Sequence, residues 1–248
     1  MPVETSATVW QVFVYGSITA VATGLGALPF FFVKVVSERA VAYANAIAAG
    51  LMLGASFGLL SEGVEAGAWQ TVVGVQLGVL FILATQRWLE SRDDLSIANM
   101  RGADARQMIL IVIVMTVHSF AEGVAVGAAF GGGMTLATVI TAAIAVHNVP
   151  EGLAISAVLR PRGTSVLACA VWSVFSSLPQ PLMAVPAFLF VDAFRPALPF
   201  GIGFAAGAMV FMVIVELLPE AYEQAPRPAV GLLASITLVA MLLFQRYL

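Results

Sequence analysis

The chain has 248 residues, of which 60% are hydrophobic and only 10% charged, with a mean hydropathy of +0.99. A soluble domain of this length needs far more surface charge, so these proportions exclude one. The net charge of −3 comes with no basic patch, which excludes a nucleic-acid partner and leaves a polytopic membrane protein in a lipid bilayer.

The opening stretch, "MPVETSATVW", has no lysine or arginine before its apolar run, so the run reads as a retained helix rather than a cleaved signal. Charge, proline and glycine then divide the chain into eight apolar spans, each long enough to cross a hydrocarbon core. They are predicted at 7–33, 41–63, 68–89, 107–130, 135–159, 164–190, 197–219 and 228–246. The fold expected is therefore all-α and integral to the membrane, a single domain over 1–248. Its longest connection, about 91–106, is a mixed-charge loop without histidine. The single cysteine, Cys169, lies in an apolar run and reads as a small buried hydrophobe.

Basic residues orient the spans. With eight crossings, Lys34, Arg39, Arg87, Arg92, Arg101, Arg106, Arg160, Arg162 and Arg227 fall on one face, leaving Arg195 and Arg246 on the other. Positively charged loops favour the cytoplasmic side, so both termini are expected outside.

The only two histidines fall in "HSFAEG" (118–123) and "HNVPEG" (147–152). Positions i and i+4 share one helix face, so His118 pairs with Glu122, and His147 with Glu151. The glycine turn at 131–134 makes the two helices antiparallel. In such a hairpin, residues whose position numbers share a sum lie at one depth. His118 with Glu151 and Glu122 with His147 both sum to 269, which predicts one cluster near mid-membrane. A second repeat links 48–66 with 205–225, matching Met52 to Met209 across helices that run in opposite directions. Similar segments pointing opposite ways predict inverted-repeat pseudo-symmetry, a feature of secondary transporters.

Two imidazoles and two carboxylates suit a divalent ion, Zn²⁺ foremost, with Fe²⁺, Mn²⁺, Co²⁺ and Cd²⁺ also compatible. The carboxylates offset the ion's charge where water is absent, and an isolated glutamate there is costly. The plainer alternative is that each histidine is a hydrogen-bonded packing residue. Two symmetric pairs using up every histidine in the chain weigh against it. Pro150 is expected to free a backbone carbonyl near 146 and kink its helix, and Gly123 and Gly152 to allow close helix approach. Glu62, Glu216 and Glu220, toward the helix ends, read equally as relay ligands for the ion or as solvated carboxylates. Met52 and Met209 either line the path or, on the better reading, pack.

Other classes stay open at this point. A membrane-embedded metal-dependent hydrolase could activate water on His and Glu, although H-E-x-x-H and a third histidine are both absent. A bis-histidine haem carrier is disfavoured by the carboxylates one turn away. A metal efflux protein shares every feature so far.

The paired "HSFAEG" and "HNVPEG" resemble the fourth- and fifth-helix signatures of the Zrt/Irt-like (ZIP) divalent-metal transporters, most closely the bacterial branch. The "AAG…LLPEA" segment (205–221) and the eight-span layout fit as well. The resemblance implies a non-enzyme with no resident cofactor, its metal being cargo taken toward the cytoplasm across the plasma membrane. It also implies a homodimer, an elevator-like motion, and a first site of His118, Glu122, His147 and Glu151. Family members that hold two ions build the second site from positions that here are Ser119, Asn148 and Gln180, all neutral. One tight ion is therefore expected, any second binding being weak, with Gln180 orienting a ligand.

Overall fold

The structure, a computed structural model, describes residues 7–33, 35–90, 103–160, 163–193 and 195–247. Side chains at 88–90, 103–114, 117, 118 and 195 are outside that description, as is the expected loop from 91 to 102. Every regular element among the described residues is helical. α1 spans Val9–Leu25, α2 Glu38–Glu90, α3 Ala103–Gly131 and α4 Met134–Leu159. α5 follows at Val166–Ser176, α6 at Pro179–Ala193 and α7 at Leu198–Met212; after a π turn at Val213–Leu217 come α8, Leu218–Gln224, and α9, Arg227–Tyr247.

Local chemistry sets the ends and breaks. Thr8 caps α1 through a reciprocal pair with Gln11, its Oγ1 accepting from the Gln11 N–H at 3.2 Å. Gly133, at φ 111°, supplies the left-handed residue that turns α3 into α4. Pro179 has no N–H to give the preceding turn, so α5 ends in tightened bonds from Ser177 to Val174 and from Leu178 to Phe175. The expected sixth span is therefore two helices.

Among the described residues, six stretches are long and apolar enough to cross a membrane: Val9–Phe31, Glu38–Arg87, Met134–Leu159, Val166–Ala193, Leu198–Gln224 and Arg227–Tyr247. Glu38–Arg87 is too long for one crossing at 50 residues, and α2 breaks at Gly67, whose backbone is extended. There the chain doubles back, because a Cβ on Gly63 would stand 2.9 Å from the Thr71 side chain, eight positions later. The second and third expected spans are thus the two arms of α2. Pro150 lies inside α4, which continues through it to Leu159.

The π turn in the seventh span has a covalent origin. Pro219 cannot donate, and its ring crowds the carbonyl four residues back; the chain instead closes a wider turn from the Leu218 N–H to the Val213 carbonyl. α2 packs along α7 and α9, while α1 packs on α4, α5 and α6, and α3 lies along α6. The core between them is rich in alanine, including Ala48, Ala49, Ala125, Ala128, Ala129 and Ala205. Small side chains let helix backbones approach where lipid supplies no hydrophobic drive between them.

Candidate metal centre

α3 and α4 carry the two histidine–glutamate motifs, and their hairpin brings Glu122 to His147. The His147 Nε2 lies 2.7 Å from Glu122 Oε1, and both side chains are fully buried. Glu151, one turn along α4 and 3% exposed, completes a group of three whose ligand atoms all lie within 4.8 Å of one another. One ion with bonds of about 2 Å fits such a spread after small side-chain shifts. His118 lies on α3 one turn before Glu122, and its side chain is among those outside the description.

The neutral residues gather beside Glu122. Gln180, at the start of α6, donates through Nε2 to Glu122 Oε2 and, at 3.4 Å, to Ser119 Oγ. Asn148 Nδ2 donates both to Gln180 Oε1 at 3.1 Å and to the Thr19 carbonyl on α1 at 2.9 Å. Ser119, Asn148 and Gln180 are each at most 1% exposed. His147 Nδ1 and Asn148 Oδ1 have no hydrogen-bond partner among the described residues. A buried polar atom in that condition costs about 1–3 kcal/mol.

Two glycines make the convergence possible. A Cβ on Gly152 would run into the Thr23 carbonyl, and one on Gly123 would lie 2.7 Å from the Gln180 carbonyl. These contacts seat α1 on α4 and α3 on α6, and Thr23 Oγ1 adds a 2.8 Å bond to Ser177 Oγ.

Met52 and Met209 are fully buried in one hydrophobic cluster. Glu62 and Glu220 are exposed, whereas Glu216, in the π turn, is half-buried and accepts a hydrogen bond from Gln86. Thr19 and Gln86 were not among the sequence candidates. Gly16, Thr19, Thr23 and Gly24 form a small, polar stripe at helical spacing on α1, a signal available for the first. Nothing local marked the second.

The sequence profile of the family described as ZIP Zinc transporter matches residues 89–243. A protein of Arabidopsis thaliana whose name includes the words zinc transporter is 49% identical over 225 residues, covering 90% of this chain and 36% of that protein. The zinc transporter ZIPB of Bordetella bronchiseptica is 31% identical over 244 residues, 92% of this chain and 78% of that one. The zinc transporter GufA of Myxococcus xanthus is 29% identical over 223 residues, 83% and 86% of the two chains.

Proposed function

Because this chain belongs to the ZIP zinc transporter family, whose members are transporters rather than enzymes, we propose that it carries a divalent cation, Zn²⁺ foremost, across a membrane. Fe²⁺, Mn²⁺, Co²⁺ and Cd²⁺ are further candidates on donor chemistry alone. The cation's resting place is the set His118, Glu122, His147 and Glu151. One observation carries the reading: three of these four offer ligand atoms within 4.8 Å of one another, all buried. A mid-membrane carboxylate pair without a cation to neutralise is an expensive arrangement.

Two arms of α2, one crossing each for α1, α3, α4 and α9, and the broken pairs α5–α6 and α7–α8 make eight crossings in a single domain. The excess of basic residues on one face supports both termini outside; net flux inward, across the plasma membrane, rests on the resemblance to the family. The α3/α4 and the span-two/span-seven similarities support an inverted repeat with the ion at its centre. The resemblance to the family supports an elevator-like motion of the body formed by α1, α3, α4, α5 and α6 against that of α2, α7, α8 and α9, in a homodimer. Glu216, the most sheltered of the peripheral acids, serves as a relay ligand, with Glu220 and Glu62 nearer water. Met52 and Met209 pack.

Uptake of Zn²⁺ into proteoliposomes tests the proposal. Saturable uptake that is lost in both Glu122→Gln and His147→Ala, with the fold retained, is the expected result. Undiminished uptake in both would refute the site. Net flux in the opposite direction under an inward gradient would favour efflux.

A further inference from the structure

The hydrogen bonds around Gln180 form a chain with a fixed sense. The Thr19 carbonyl can only accept, so the Asn148 amide must turn its Nδ2 toward it. The second Nδ2 proton then faces Gln180, which must answer with Oε1. That leaves Gln180 Nε2 directed at Glu122 Oε2. Every member is buried, so water does not compete. One carboxylate oxygen of Glu122 is thus held by an amide, while the other, Oε1, is the atom that faces His147.

We propose that Gln180 is a specificity-determining residue: by engaging Glu122 Oε2, its amide limits Glu122 to one-oxygen coordination of the cation, with Asn148 and the Thr19 carbonyl as the groups that position it. The inference rests on the reading of Glu122 as an ion ligand. Its consequence is chemical. A carboxylate that offers one oxygen suits a low-coordinate ion such as Zn²⁺, which is content with four N and O ligands. Larger, oxygen-seeking ions such as Mn²⁺ fill six positions and gain most from two-oxygen carboxylates. Holding back one oxygen therefore penalises the larger ion more than Zn²⁺. Gln180 here acts by withholding a donor atom, which is selection against a competitor as much as for the cargo.

The test uses the purified full chain in detergent, titrated with Zn²⁺ and Mn²⁺ separately and in competition. Zinc X-ray absorption gives the coordination number. Gln180→Leu removes the amide at similar volume and adds no ligand. The expected result is a fall of about tenfold in the Zn²⁺:Mn²⁺ affinity ratio, the size of one lost hydrogen bond to a charged group. The zinc coordination number should rise from about four in the parent. Asn148→Leu, which leaves Gln180 untouched but unoriented, should shift both readouts the same way by less. It keeps the inference falsifiable if Gln180→Leu does not fold. A ratio and coordination number unmoved in both variants, while Glu122→Gln abolishes binding, overturns the inference alone. Ion binding that survives Glu122→Gln unchanged overturns the site itself, and the inference with it.

Discussion

His147 and Glu122, 25 positions apart on antiparallel helices, face each other at 2.7 Å with no solvent exposure on either side chain. His147 is a polar partner of Glu122 Oε1, as Gln180 is of Oε2. On the proposed function, a dication between them would replace that hydrogen bond with two coordinate bonds and be offset by the carboxylate's charge.

Zn²⁺ binding should release protons and weaken as the medium is acidified. Carboxylates and imidazole bind metal only after shedding their protons, so each proton retained at low pH competes with the ion. Calorimetry in two buffers of different ionisation enthalpy reads the number released. Equal heats in both buffers would contradict the ligand set.

A titration at neutral pH should end at one tightly bound Zn²⁺ per chain. The polar groups beside Glu122, namely Ser119, Asn148 and Gln180, carry no charge, and Gln180 already engages Glu122 Oε2. A second dication would find too little negative charge to offset its desolvation. Two tight equivalents per chain by mass spectrometry or calorimetry would defeat this expectation.

Gly152→Ala should destabilise the protein by about 1–3 kcal/mol, the usual cost of forcing extra volume into a packed interface. The added methyl would meet the Thr23 carbonyl of α1, which is backbone and has little room to give. A lowered midpoint of thermal unfolding in detergent is the readout. Since Glu151 is the neighbouring residue, Zn²⁺ affinity should fall as well.

Ser177→Ala should behave differently. It removes the 2.8 Å hydroxyl pair with Thr23, a contact between α1 and the end of α5. Polar contacts of this kind between membrane helices contribute about 0.6 kcal/mol on average. A small drop in thermal stability with zinc uptake at the parent level is expected; loss of uptake would place Ser177 in the transport path.

Among the peripheral acids, Glu216→Ala should slow zinc uptake, whereas Glu62→Gln should leave it at the parent level. Glu216 is half-buried and held by Gln86, while Glu62 is exposed. Equal effects in initial-rate measurements would remove the argument from burial.

The amino-acid sequence alone determined that Glu122, His147 and Glu151 come together, because the signal is short-range. Composition showed a membrane protein, and the four-residue spacing of His147 and Glu151 on one helix face depends only on the pitch of an α-helix. The glycine turn near 133 then set the register that pairs Glu122 with His147. What the tertiary structure decided lies at long range or in the backbone. Gln180 meets Glu122 from 58 positions away, and Asn148 meets the Thr19 carbonyl from 129, contacts that exist only once α1 and α6 have packed. The break near Gly67 was already implied by the expected spans 41–63 and 68–89, whereas the π turn before Pro219 was hidden. A glycine or proline in an apolar run signals that a helix is interrupted, but how the chain recovers depends on the neighbours that receive it.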